Sequence, residues 1–331
     1  MAPFTTIGTG GKADLLVTVA DTAAVVDTLR VLAEHGFPWI CLGAGTDLLV
    51  ADRGYRGAVV KLDDPFHYVE GLPGSSAAPA SVGAPGLAEE APPSSAEVPK
   101  TTTDPPETVI VTVGAGTLLA RFAAMAAEAG LAGLEFACGI PGSVGGGVAT
   151  NAGAYGSSMA EVVREVELAT ASGVAWTSGE DLEWNYRSCC LPDGVVVTAV
   201  RFALTHGDAA AILERHRSIL RQRRNAQPWG VRTFGCTFKN PGGGGAGRLI
   251  EAAGLKGERR GGAEVSRVHA NFLVNLGDAT TADMLALMSL MREEVERTSN
   301  VCLEPEVRLL GADFPWESSF ADPQESPDPD G

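Results

Sequence analysis

Gly139-Ile140-Pro141-Gly142-Ser143-Val144-Gly145-Gly146-Gly147-Val148-Ala149-Thr150-Asn151-Ala152-Gly153-Ala154-Tyr155-Gly156 holds seven glycines in eighteen residues. Glycine loses more conformational entropy on folding than any other residue and brings no side chain to pack. A run this dense is therefore kept where φ > 0 or close approach of backbone to a ligand is required. Successive N–H groups in such turns form concavities suited to phosphate oxygens or the polar edge of a flat ring. A flexible tether is the other use of glycine, but Ile140, Pro141, Val144, Asn151 and Tyr155 are not tether residues.

On either side the pattern is α+β. Toward the N-terminus, Thr117 is expected to cap a helix running to Gly130, with Phe122, Met125, Ala126 and Ala129 inward, behind the strand Val109–Val113 and the turn Gly114-Ala115-Gly116. Earlier still come strands Leu15–Val19, Trp39–Leu42, Ala58–Leu62 and Phe66–Val69, with an Asp21-capped helix to His35. Gly43-Ala44-Gly45-Thr46-Asp47 follows Leu42, but Leu48-Leu49-Val50 and Asp52-Arg53-Gly54 predict a short strand and turn where a dinucleotide fingerprint would open a helix. Toward the C-terminus lie strands Val162–Thr170, Val174–Trp176, Asn185–Ser188 and Val195–Leu204, then an arginine-rich helix from Asp208 to Asn225. Gly235–Pro241 opens a last region with helices over Ala246–Ala253 and Thr281–Thr298 and a strand over Asn271–Leu276.

The chain of 331 residues is long enough for two or three domains. Five acids and one lysine in residues 71–108, and six acids with no base in 312–331, account for ten of the sixteen net negative charges. Both stretches are proline-rich and poor in large apolar residues, and are read as a disordered insertion and an acidic disordered tail. The remainder is only mildly acidic, which disfavours nucleic acid as a partner. No apolar run reaches the roughly 18 residues of a membrane span, and Met1-Ala2-Pro3-Phe4 does not read as a signal peptide. A cytoplasmic protein is expected. The six cysteines show neither C-x-x-C nor Cys/His metal spacing, so neither disulfides nor a metal site is expected.

In family order, Gly43–Val50, Gly114–Gly116, Gly139–Gly156, Tyr186-Arg187-Ser188, Gly235–Pro241, Leu255–Ser266, His269–Asn275 and Leu303–Val307 resemble the UDP-N-acetylenolpyruvoylglucosamine reductases. The likeness spans roughly residues 5–66 and 109–311. It implies a two-part FAD-binding unit of the vanillyl-alcohol-oxidase type (1–66 and 109–224) and a C-terminal α+β substrate-binding domain (225–311).

The same resemblance implies which residues hold the ligands. FAD would lie against Gly43, Ala44, Gly45, Thr46 and Asp47, with Gly114, Gly116, Gly139, Pro141, Gly142, Ser143, Gly145, Gly146, Asn151 and Gly153 approaching its flavin and adenine portions. The family commonly has Ser-Asn where Thr46-Asp47 stand. The first loop has no flavin-tethering histidine, so FAD would be non-covalent. Tyr155, Tyr186, Lys239, Asn240 and His269 match positions near the UDP-sugar substrate or the cofactor. Ala226 stands where many relatives place a lysine, with Arg223 or Arg224 as substitutes.

The implied reaction passes hydride from NADPH through FAD to C3 of the enolpyruvyl ether, with a proton going to C2, giving UDP-N-acetylmuramate for peptidoglycan synthesis. Arg187 matches the arginine that binds the enolpyruvyl carboxylate, which suits a bidentate, permanently charged guanidinium. Glu306 matches a carboxylate beside the enol. Cys236 occupies the proton donor's place, commonly a serine; with a free-thiol pKa near 8.5 it is expected to be the stronger acid. The same scaffold also serves FAD-dependent oxidases of sugars or alcohols, the alternative reading.

Overall fold

The computed structural model describes residues 1–73, 107–242 and 244–317. The first unit is a three-stranded parallel sheet in which Tyr55–Leu62 lies between Ala13–Val19 and Trp39–Leu42. The helix Thr22–Glu34 carries the chain from one outer strand to the other, a crossover that leaves both parallel to the central strand, with Val25, Leu29 and Leu32 buried beneath. Asp21 caps it by accepting from the Ala24 N–H at 2.7 Å.

The second unit is a six-stranded sheet. Its order is Gly173–Ser178, Val163–Thr170, Val196–His206, Thr108–Gly114 and Val69–Glu70, with Leu131–Ala132 also pairing with Val196–His206. The last two main strands are antiparallel, Val69 facing Val113, so the chain between them interrupts a hairpin. The helix Leu119–Glu128 packs Phe122 against Phe202, ring centroids 4.9 Å apart. One continuous apolar cluster, from Val19 through Phe122 to Leu204, runs through both units.

The C-terminal unit packs the helices Ala246–Ala252 and Thr281–Ser299 on a sheet of Arg259–Arg260, Ala263–Val265 and Leu273–Asn275. Met284, Leu287, Met288 and Met291 are fully buried in the long helix, each side chain contributing about 1.5–3 kcal/mol. That helix starts on a capping box of Thr280 and Asp283, and Asp52 accepts from the Thr281 and Ala282 N–H groups, both at 2.9 Å. Its core takes in Ile7 and Leu49 from the start of the chain, because Leu48–Val50 pairs in parallel with Arg308–Leu310.

Several expectations are corrected. Thr117 does not cap the following helix: its hydroxyl donates to Tyr68 O at 3.1 Å and Leu118 occupies the N-cap. Phe66 closes a 3-10 turn begun by Asp64-Pro65, leaving only Val69–Glu70 as strand, since proline cannot donate to a ladder. The single strand expected over 185–188 is instead a hairpin corner at Tyr186-Arg187, with Asn185 and Ser188 ending its two strands. The tail expected from 312 is ordered to 317: Phe314 is buried and stacks on Trp316, centroids 5.0 Å apart. Of the expected disordered segments, 74–106 and 318–331 lie outside the described residues.

Candidate active site

The two glycine-rich loops meet face to face. A Cβ on Gly43 would sit 2.5 Å from Ser143 Oγ, and one on Gly142 would sit 3.3 Å from Thr46 Oγ1. The Thr46 hydroxyl points at Pro141 O, at 3.5 Å. Gly45, at φ +65°, passes so close to the Phe4 carbonyl that any side chain would collide. Ser143 then caps a short helix, Val144–Ala149, accepting from the Gly146 N–H at 3.3 Å, while a Cβ on Gly145 would press on Ala115 at 3.0 Å. The opening stretch is thus a tight turn through Gly139, a capped helical turn and a hairpin, folded against the first loop.

That hairpin, Gly153-Ala154 paired with Ser157-Ser158, turns through Tyr155 at φ +54° and Gly156 at φ +84°, the backbone of a type I′ turn. A second hairpin, Glu183–Asn185 with Ser188–Cys190, turns through Tyr186 and Arg187, with Arg187 at φ +62°. Positive φ at a residue with a long side chain is strained, and such strain persists only where the surroundings over-determine it. Here Arg187 Nη1 donates to Gly153 O at 2.8 Å, and Asn151 Nδ2 donates to Asn185 O at 2.9 Å while its Oδ1 accepts from the Ala160 N–H. The two tips are tied together, with Tyr155 and Tyr186 standing exposed.

Residues 304–308 form a strap between the first loop and the C-terminal unit. On one side the Lys239 N–H donates to Glu304 O and the Glu306 N–H to Thr237 O, both at 2.9 Å; on the other the Arg308 N–H donates to Asp47 O at 3.2 Å. The strap sets Glu306 against the second hairpin, with Arg187 Nε 2.9 Å from Glu306 Oε1 and both side chains about four-fifths buried. The pair offsets two buried charges against each other. Arg223, buried on the arginine-rich helix, faces Tyr155, Cys236 and Arg187 with its Nε unengaged.

The charges of this cluster act on one another. Burial, then the Glu306 carboxylate, pushes the Cys236 thiol up to about 12 against the pull of Arg187 and Arg223. Burial thus takes away much of the acidity a free thiol has in water, and the proton stays on the sulfur at neutral pH. Burial and Glu306 also push the Asp47 carboxyl to about 8, opposed by Arg308 and Arg187. Glu306 is itself raised by burial, with Arg187 and Lys239 opposing.

The other expected residues divide. Lys239 sits beside the cluster, its Nζ 3.4 Å from Glu304 Oε2. Asn240 Oδ1 accepts from the Ala246 N–H at 3.0 Å, and His269 packs on Phe272 and accepts from the Asn271 N–H at 3.2 Å. The charged neighbours of His269 are Lys256 and Glu251, not Arg187 and Glu306, and burial lowers its pKa so that the ring is neutral. Gly114 and Gly116 have a packing reason: a Cβ on either would collide with the Phe66 carbonyl or the His67 ring. Sequence reasoning missed the Asp47–Glu306 proximity, and met Arg223 only as a substitute for lysine; its signal was an arginine on the helix before Gln227-Pro228.

The junction fits FAD. Among the described residues the Ala44, Gly45 and Thr46 N–H groups make no hydrogen bond with the protein, the kind of nest that receives phosphate oxygens. A cavity of about 270 Å³ opens beside them, lined by Phe4, Thr6, Gly43, Ala44 and Lys61 among others. Among the described residues no helix is long and apolar enough to cross a membrane, and no group of three His, Cys, Asp or Glu could hold a metal.

Comparison with known proteins agrees. Residues 99–179 match the family model described as FAD binding domain, and 227–310 match UDP-N-acetylenolpyruvoylglucosamine reductase, C-terminal domain. The chain is 43% identical over 311 residues to a UDP-N-acetylenolpyruvoylglucosamine reductase of Anaeromyxobacter sp. (strain Fw109-5), covering 94% of this chain and 87% of the relative. A relative of the same name from Halalkalibacterium halodurans is 37% identical, with 94% and 92% covered. The crystal structure of UDP-N-acetylenolpyruvylglucosamine reductase from Thermus caldophilus superposes with a TM-score of 0.72 at 35% identity, covering 93% of this chain and 96% of that one. The chain is an FAD-containing oxidoreductase and belongs to the UDP-N-acetylenolpyruvoylglucosamine reductase family.

Proposed function

We propose that the protein reduces the enolpyruvyl ether of UDP-N-acetylglucosamine enolpyruvate to UDP-N-acetylmuramate in peptidoglycan synthesis, with NADPH as reductant. The observation that carries this is the buried Arg187–Glu306 ion pair beside the neutral thiol of Cys236. FAD, when bound, supplies hydride from NADPH to C3 of the substrate.

The chain's own residues handle the charge and the proton. Arg187 takes the substrate carboxylate, which its planar, permanently charged guanidinium suits. As negative charge develops on C2 and spreads into that carboxylate, the fixed guanidinium stabilises it without reorganisation. Arg223 adds a second buried cation facing the same space. Cys236 gives its proton to C2, general acid catalysis of the kind that contributes about 10²–10⁴-fold. Glu306 keeps Arg187 aligned. Tyr155 and Tyr186, exposed at the hairpin tips, and Lys239 receive the nucleotide portion of the substrate. The division into 1–66, 109–224 and 225–311 belongs to this reading, with the strap as the seam.

The test is anaerobic turnover of UDP-N-acetylglucosamine enolpyruvate with product mass analysis. One NADPH consumed per lactyl ether formed is expected. Oxygen consumption with sugars or alcohols, and no reduction of the enol ether, would replace this reading by that of an oxidase.

A further inference from the structure

The arginine-rich helix Ala209–Ala226 lays one face along the start of the glycine stretch. His216, Leu220 and Arg223, four and three residues apart, lie one above another on that face. The Cys138 thiol donates to His216 O at 3.2 Å, with His216 Nε2 3.4 Å from the sulfur. A Cβ on Gly139 would meet Leu220 Cδ1 at 3.2 Å and Arg223 Cδ and Nε at 3.5 Å. The Arg223 side chain is therefore laid directly on the Gly139 turn.

Arg223 is nine-tenths buried, its Nε has no acceptor, and among the described residues its side chain makes no hydrogen bond or ion pair. A guanidinium cannot give up its charge, and a buried charge without a partner is costly. The arrangement suits an anion that the protein itself does not supply. FAD phosphates have the free N–H groups of Ala44, Gly45 and Thr46. Arg187, already paired with Glu306 at 2.9 Å, is assigned to the substrate carboxylate. Cys138 and Gly139 lie within the residues matched as FAD binding domain. The charge still without a partner is that of the flavin ring once reduced: hydride carries one proton and two electrons, so its transfer to the neutral oxidised ring leaves one negative charge there.

We propose that Arg223 is the counter-charge of reduced FAD, a cation held on the Gly139 turn by the 216–220–223 face, which keeps the reduced ring anionic and raises its potential. The inference needs FAD in the site and nothing of the substrate.

The test is the midpoint potential of the FAD-loaded protein, read anaerobically against a reference dye from pH 5 to 8 with dithionite as reductant. Neither NADPH nor the enol ether is used, so its outcome is separate from that of the function proposed above. One proton taken up with two electrons moves the equilibrium tenfold per pH unit, about 30 mV; two protons move it a hundredfold, about 60 mV. The wild type is expected to hold about 30 mV per pH unit down to pH 5. Arg223→Gln is expected to lie at least about tenfold, or about 30 mV, lower at pH 8 and to steepen to about 60 mV per pH unit at the acid end. Arg223→Lys, which keeps a charge, is expected to fall between the two.

A wild-type slope of about 60 mV per pH unit at the acid end would overturn the proposal with no variant needed. A potential in Arg223→Gln equal to that of the wild type would overturn it too, and weaker binding of the enol ether alongside would give Arg223 to the substrate. An equal drop in Arg187→Gln would assign the effect to the overall charge of the site and not to Arg223. Should Arg223→Gln fail to hold FAD, the wild-type slope and Arg223→Lys decide.

Discussion

A thiol in water ionises near 8.5, but at position 236 burial and Glu306 move it to about 12, so the sulfur is an acid and not a nucleophile at neutral pH. Cys236→Ala is therefore expected to keep flavin reduction by NADPH and lose product formation by at least about 100-fold, while Cys236→Ser retains turnover. Rapid-mixing absorbance for the first half and product assay for the second check both. Arg187→Ala is expected to lose about 10²–10³-fold in kcat, and Arg187→Lys most of that, because a lysine cannot make the bidentate contact; steady-state kinetics decides. Arg187, Cys236 and Glu306 were each singled out in the sequence by the family resemblance of their motifs. That Glu306 ion-pairs with Arg187 and presses on both Asp47 and Cys236 was not legible there, because residues 47, 187, 236 and 306 come together only through tertiary packing.

Elements with regular periodicity were read within a residue or two: Thr22–Glu34, Ala209–Ala226 and Thr281–Ser299 all lie where apolar spacing and caps put them. Misreadings fell where local chemistry has two uses. Thr117 suits an N-cap but spends its hydroxyl on Tyr68, and the Tyr186-Arg187 corner has no glycine to mark it as a turn. The Arg187 backbone is strained at φ +62° because a turn of type II demands positive φ at its third residue. The glycines of the first loop are needed for a different reason, the approach of other backbone. Gly45→Ala places a methyl on the Phe4 carbonyl at positive φ. It is expected to destabilise the protein by about 1–3 kcal/mol from overpacking, before backbone strain is added. Denaturant melts check it, and an unchanged midpoint would show that the loop yields.

At the scale of the molecule, the chain's beginning is built into its end: Ile7 and Leu49 lie in the C-terminal core and Asp52 caps the 281–299 helix. These pairings span more than 200 residues, and nothing in local sequence announces them. The interrupted hairpin was legible, since order resumes as a strand at once after 108. Val69 facing Val113 predicts that joining 73 to 107 through a short Gly/Ser turn yields a folded, FAD-binding protein with the parent's melting temperature within about 3 °C. Failure to fold would show that residues 74–106 contribute to the structure.

The central claim is that one site takes hydride chemistry from FAD and proton chemistry from Cys236. It is tested most directly by anaerobic half-reactions of the wild-type and Cys236→Ala proteins. Each is bleached with one equivalent of NADPH and then mixed with UDP-N-acetylglucosamine enolpyruvate while the flavin band is followed. The account predicts equal bleaching, rapid return of the band in the wild type, and return slowed by at least about 100-fold in Cys236→Ala. Equal return in both proteins would contradict it.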